Sequence, residues 1–166
     1  MIKISKGLDL PISGSPSLDI SDEPKVSSVA LLSNDYVGMK PTMFFKEGDH
    51  VNCGEKIFED KKNKGVFYCA PGSGLIKAVN RGDKRKFISI EIDLDNEEEF
   101  IEFNDQENFI NLLQETGLWN SFRTRPFNRT PAISDIPKGI FINCCDTNPL
   151  SVDLSLIHIS EPTRQP

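Results

Sequence analysis

The sequence predicts a mainly β domain of two small sheets folded onto each other, followed by the opening pieces of an α/β unit. Gly48-Asp49 and Gly54-Glu55 read as tight turns separated by a few residues able to pair across a sheet, which is a hairpin signature. Glycine accepts the positive φ such turns require, and the acidic neighbour can cap them. A second run repeats the rhythm, with turns at Pro71–Gly74 and Arg81–Asp83 enclosing Leu75–Val79. Two such units in a short span suit antiparallel segments burying their apolar faces against one another. Beyond Phe103 the apolar period changes from two to about 3.6 residues, which marks a new unit.

In chain order, Met1–Lys6 alternates, with Ile2 and Ile4 on one face, and reads as a short first strand broken by Gly7 and Pro11. An irregular loop over Leu10–Pro16 and a solvated polar run over Asp19–Lys25 follow. Val29–Leu32 is a second strand, and Tyr36–Gly38 a short third one ending in a turn; Met39–Met43 leads into the glycine-turn region. The clearest strand is Phe87–Leu94, where Ile88, Ile90, Ile92 and Leu94 share one face and Ser89, Glu91 and Asp93 the other. Asn96–Glu99 is charged enough for an exposed turn, and Phe100–Phe103 closes the first domain. Asn104 is placed to cap a helix with Glu107 three residues later. Phe109, Ile110 and Leu113 would form its apolar face, and Gly117 its stop. Ile140–Ile142 reads as a short strand running into Asn143–Pro149, as in the opening of an α/β domain. The expected organisation is a β-rich domain over 1–103, an incomplete α/β domain over 104–150, and a tail over 151–166. Ser155–Arg164 looks like a translated sequencing adapter and takes no part in the functional reading.

The net charge of −6 and pI near 5.0 exclude a duplex nucleic-acid partner unless a strong local basic patch exists, and none is evident. Cys53, Cys69, Cys144 and Cys145 show no C-x-x-C spacing, and no charged n-region precedes an apolar run, so neither a compact zinc site nor secretion is indicated. A reducing cytoplasm is the default compartment. Adjacent Cys144 and Cys145 are too strained for a routine disulfide and read as small buried residues. His50 and His158 are isolated, and neither G-x-G-x-x-G nor a Walker pattern occurs.

Two stretches carry candidate chemistry. Lys61, Lys62 and Lys64 stand where swinging-arm carrier domains present a modified lysine on a hairpin tip, and the expected fold is barrel-sandwich-hybrid-like with lipoyl- or biotinyl-type hairpins. The lysines match neither carrier pattern, so a lysine-rich exposed hairpin is the simpler reading. From Leu118 to Ile133 there is no acidic residue, while Arg123, Arg125 and Arg129 interleave with Trp119, Phe122 and Phe127. Guanidinium groups offer planar forks to a carboxylate or phosphate, and the aromatics can stack on a planar ring. A ligand or partner surface built on Trp119, Phe122, Arg123, Arg125 and Phe127 competes here with a loop whose aromatics pack inward and whose arginines pair locally.

The collected segments resemble the A subunits of the bacterial sodium-translocating NADH:quinone reductases, the Nqr complexes. The resemblance is carried by Ile2–Gly14, Val29–Leu32, Asp35–Met43, Glu47–Asp49, Phe58–Asn63, Ala70–Gly74, Asn80–Gly82, Gly117–Trp119, Phe122–Phe127 and Asp146–Leu150, in a single order through nearly all of residues 1–150. It implies a peripheral component on the cytoplasmic face of the bacterial inner membrane. The other Nqr subunits would be its partners, and it would take part in ubiquinone binding and complex assembly. The parent complex would carry electrons from NADH to ubiquinone while exporting sodium. The resemblance places flavins and an iron-sulfur centre in other subunits and leaves this chain with no cofactor of its own. A biotin- or lipoyl-type carrier, and an assembly module without quinone affinity, are the competing readings. In relatives an alanine and a methionine are expected at Cys144 and Cys145, which argues against a redox role there.

Overall fold

The computed structural model describes residues 12–15, 17, 26–95, 99–103, 108–142 and 150–151. The expected first strand at Met1–Lys6, the Asn104 and Glu107 cap, Cys144, Cys145, His158 and the adapter-like tail lie outside them. The chain divides into two compact units, one made of Lys25–Ile136 and the other of Met1–Pro24 with Pro137–Pro166.

The larger unit holds seven strands: β1 (Ser28–Leu32), β2 (Pro41–Met43), β3 (His50–Val51), β4 (Lys56–Asp60), β5 (Phe67–Cys69), β6 (Gly74–Arg81) and β7 (Phe87–Leu94). They form two antiparallel sheets, β1-β7-β6-β3 and β2-β4-β5, as the repeated turn units predict. The core lies between the sheets. Phe58 stacks on Tyr68 with centroids 4.7 Å apart, Phe87 meets Phe58 edge-on at 5.5 Å, and Tyr36 meets Tyr68 edge-on at 4.6 Å. Val51, Ile57, Ile76, Ile90 and Ile92 complete it. Ile57 and Phe58 are consecutive yet both buried, because a bulge in the β4–β5 ladder turns both inward.

Several expectations need correction. The Gly48 and Gly54 turns do not close a hairpin between neighbours: β3, lying between them, pairs with β6, His50 opposite Leu75 and Val51 opposite Gly74. Tyr36–Gly38 is not a strand. A short 3₁₀ turn over Ser33–Asp35 and a left-handed Gly38 (φ 81) place Tyr36 across the edge of Tyr68 instead. Pro41 begins a strand rather than a connection, which it can do because β2 is an edge and needs no inward N–H there. β7 has the expected bounds, but Ile88 is half exposed while Phe87 and Ser89 are buried. The β6–β7 register passes from Asn80 opposite Ser89 to Arg81 opposite Phe87, so the bulge skips Ile88 and turns it out.

Helix α1 (Phe109–Glu115) is capped by Asn108, whose side chain accepts from the Ile110 amide, and it stops at left-handed Gly117 (φ 71) as expected. Its expected apolar face does not form. Leu113 packs against the core, but Phe109 is 67% and Ile110 45% exposed, because the helix docks by its C-terminal end. There Gln114 donates to the Gly65 carbonyl at 3.3 Å and Lys56 pairs with Glu115 at 2.5 Å. In the smaller unit the described residues contain no strand, and the one expected at Ile140–Ile142 is exposed extended chain without a ladder partner.

Candidate functional site

The arginine-aromatic segment begins where Gly117 ends the helix and a 3₁₀ turn (Leu118–Ser121) redirects the chain. A side chain at Gly117 would stand 2.8 Å from Cys69 Sγ, so glycine serves both the left-handed turn and the close approach to β5. That approach seats Trp119, 8% exposed, with its indole N–H donating to the Pro131 carbonyl at 3.0 Å and its ring edge-on to Phe122 at 5.5 Å.

Arg123 is a buttress rather than an open fork. Its guanidinium donates to the carbonyls of Asn120, Phe122 (3.1 Å) and Asp35 (3.4 Å) and to the Thr130 hydroxyl (3.3 Å), and it lies 5.5 Å over the Tyr36 ring. Beyond it the chain folds back on itself: the Asn128 amide donates to the Thr124 carbonyl at 2.8 Å, and the Thr124 amide to the Arg129 carbonyl at 2.8 Å. Arg125, Pro126 and Phe127 form the apex of this turn, with Phe127 70% exposed. The five candidates thus separate into two groups. Trp119, Phe122 and Arg123 are spent inside, and Arg125 and Phe127 are displayed outward.

Of two recesses in the larger unit, one borders the segment at Arg129 and Thr130, and none of the five lines either. A cleft of about 160 Å³ is lined by Tyr36, Asp60, Lys62, Tyr68, Arg129 and Thr130 among others. At its back lies the buried Tyr68 hydroxyl, whose phenol burial pushes up to about 12, with the neighbouring Thr130 hydroxyl opposing the shift. Burial also raises Tyr36, with the Arg123 charge opposing the shift. An open groove of about 350 Å³ is lined by Phe45, Lys56, Ile101, Phe103 and Glu115, with Lys56 lying 4.4 Å over the Phe67 ring. Sequence reading missed both, because their walls come from distant strands; Tyr36 was legible only as part of the Asp35–Met43 segment.

The remaining candidates resolve into local structure. The lysine-rich tip is tied down: Asn63 donates to the Pro131 carbonyl at 2.9 Å, Lys62 to the Gly38 carbonyl at 2.9 Å, and the Gly65 amide to Glu59 at 2.7 Å. Lys61 and Lys64 are exposed on it. His50 donates to Asp95 at 2.6 Å, and the Ser73 hydroxyl meets the same carboxylate at 3.3 Å rather than the imidazole, so no serine nucleophile is assembled. Burial pushes the Cys69 thiol up to about 11, with Lys56 opposing, and its Sγ rests 3.7 Å from the Glu115 carbonyl, so nothing around it activates a thiolate. Among the described residues no three His, Cys, Asp or Glu side chains converge as metal ligands, and no helix is long and apolar enough to cross a membrane.

The NqrA N-terminal barrel-sandwich hybrid domain matches residues 2–95, and the NqrA second alpha/beta domain matches residues 104–164. The fold class is therefore a barrel-sandwich hybrid followed by a second α/β domain. The chain is 48% identical to the A subunit of the Na(+)-translocating NADH-quinone reductase of Hahella chejuensis, over 95% of this chain and 37% of that protein. It is 45% identical to the protein of the same name from Yersinia pseudotuberculosis, over 97% of this chain and 38% of the relative. The Teredinibacter turnerae protein, also of that name, is 44% identical, over 98% of this chain and 38% of its own length. The chain spans less than two fifths of the length of these relatives.

Proposed function

Because this chain belongs to the NqrA family, whose domain models cover most of it, we propose that it supplies the amino-terminal part of the A subunit of a sodium-translocating NADH:quinone reductase. Its role there is to dock on the other Nqr subunits and to contribute one wall of a ubiquinone site. Residues 1–103 form its β-rich domain and a second domain opens at 104; the two family models, which match 2–95 and 104–164, support a boundary near 103. The protein sits peripherally on the cytoplasmic face of the bacterial inner membrane. It carries no redox centre of its own, and flavins and an iron-sulfur centre in other subunits move the electrons.

The observation that carries this reading is the division of the 119–127 segment. A quinone headgroup is a planar ring with acceptor oxygens at its ends, so it needs a stacking face and hydrogen-bond donors in a largely apolar slot. Phe127 and Arg125 display that pair on an apex held rigid by Trp119, Phe122 and Arg123. The apex is open on this chain, so a headgroup can stack on it directly and another Nqr component would cover it from the other side. Lys62, tied to the Gly38 carbonyl at 2.9 Å, is not free to swing as a carrier arm would.

Titrating the folded chain with a soluble ubiquinone analogue while following Trp119 fluorescence tests the quinone part. Saturable quenching is expected, weakened roughly tenfold or more when Arg125 and Phe127 are both replaced by alanine, since one lost stacking and one lost charged hydrogen bond together exceed about 1.4 kcal/mol. Quenching that ignores this double substitution would remove the apex from the quinone site.

A further inference from the structure

The longest hairpin of the fold ends in a cationic tip that neither folding nor the proposed quinone wall uses. Arg81, Lys84, Arg85 and Lys86 are all exposed around the β6–β7 turn, with Asp83 the only acid among them. None of these four side chains has an ion pair or hydrogen bond within the described residues, although the chain as a whole carries a net charge of −6. Half-exposed Ile88, turned out by the bulge, lies against Gly82 at the base of the turn.

The turn itself sharpens the point. The Lys86 amide donates to the Asp83 carbonyl at 3.1 Å, and both central residues are left-handed, Lys84 at φ 54 and Arg85 at φ 61. The Arg85 amide also donates to the Gly82 carbonyl at 3.0 Å, so two turns overlap here, and at left-handed positions the backbone prefers glycine or asparagine. Lysine and arginine there go against the local conformational preference, so something other than the turn favours the two charges.

We infer that this tip is an electrostatic contact for an anionic lipid surface. A tip touches a plane, whereas a duplex needs a basic stripe along which phosphates can be met in succession. Besides Asp83, the carboxylates nearest the tip are Glu91, which accepts from the Asn80 side chain at 2.6 Å, and Glu47, which accepts from the Val79 amide at 2.9 Å, so the four cations keep a small excess there. Glu47 and Glu91 are each engaged by a hydrogen bond at the strand end, whereas the four cations are not, so the tip can meet a negative surface, with Ile88 as a small apolar foot behind the charges. The inference stands apart from the quinone reading and does not depend on it.

The test is sedimentation of the 166-residue chain with vesicles of phosphatidylcholine alone and of phosphatidylcholine mixed with phosphatidylglycerol, in low and physiological salt. The expected result is binding to the anionic vesicles only, weakening with salt. Each basic residue near such a surface is worth about fivefold in partitioning, so Lys84→Asn with Arg85→Gly should lower binding by roughly 25-fold. The same double substitution installs residues that the left-handed positions prefer, so the protein should unfold at an equal or higher urea concentration, which separates lost contact from lost fold. Equal binding by both proteins, equal binding to neutral vesicles, or no sedimentation of either would overturn the inference and leave the cations to an acidic protein partner.

Discussion

Replacing Gly74 by alanine is expected to cost at least about 3 kcal/mol of folding free energy, read as a large fall in the urea midpoint. The added Cβ would stand 2.0 Å from the Asp93 carbonyl oxygen, 2.9 Å from its carbon and 3.0 Å from the Leu94 Cα, all of them backbone atoms. No rotamer change relieves a clash with backbone, and the residue also has a positive φ of 158. Gly74 lies where β3, β6 and β7 meet, opposite both Val51 and Leu94, so moving it opens two ladders together. Gly48→Ala is the control. It has a positive φ of 87 but meets nothing within 4 Å, so it should lose only the left-handed penalty of about 1–2 kcal/mol. Equal losses at the two positions would contradict the packing argument.

Trp119→Ala should cost about 3–5 kcal/mol, the usual range for truncating a buried aromatic. The indole is 8% exposed, packs edge-on against Phe122 and holds the Pro131 carbonyl, which in turn accepts from Asn63 at the lysine-rich tip. Its removal therefore loosens the segment and the hairpin together. Trp119→Phe keeps most of the buried ring and loses chiefly one hydrogen bond, at about 1–2 kcal/mol. Thermal unfolding of the two variants separates these contributions. Alanine and phenylalanine variants of similar stability would mean that Trp119 is not the anchor described above.

Much of the sandwich was legible because turns and alternation are local signals. The bounds of β7 and the glycine stop of α1 follow from a few adjacent residues, and the structure places both where they were expected. What was not legible depends on a partner strand. Ile88 faces outward because β6 changes register at Asn80 and Arg81, and Tyr36 leaves the strand register because Tyr68, far along the chain, offers it a ring edge. The same limit governs the arginine-aromatic segment. Its unusual composition marks it, but its division into buttress and display depends on acceptors such as the Asp35 carbonyl, 88 residues from Arg123. The bases of the cationic tip are contiguous in sequence as Arg81-Gly-Asp-Lys-Arg-Lys86, but only the structure shows that all four side chains stay exposed without an ion pair among the described residues.

We propose that the Arg125–Phe127 apex is a docking point for other Nqr subunits. The most direct measurement is capture, by the immobilised chain, of a relative's Nqr complex stripped of its own NqrA protein. The account predicts saturable capture by the unaltered chain, weakened roughly thirtyfold by the Arg125→Ala, Phe127→Ala double substitution, as for an interface anchor worth about 2 kcal/mol. Capture of equal strength by both proteins, with both shown to be folded, would contradict it and move the docking surface elsewhere on the sandwich.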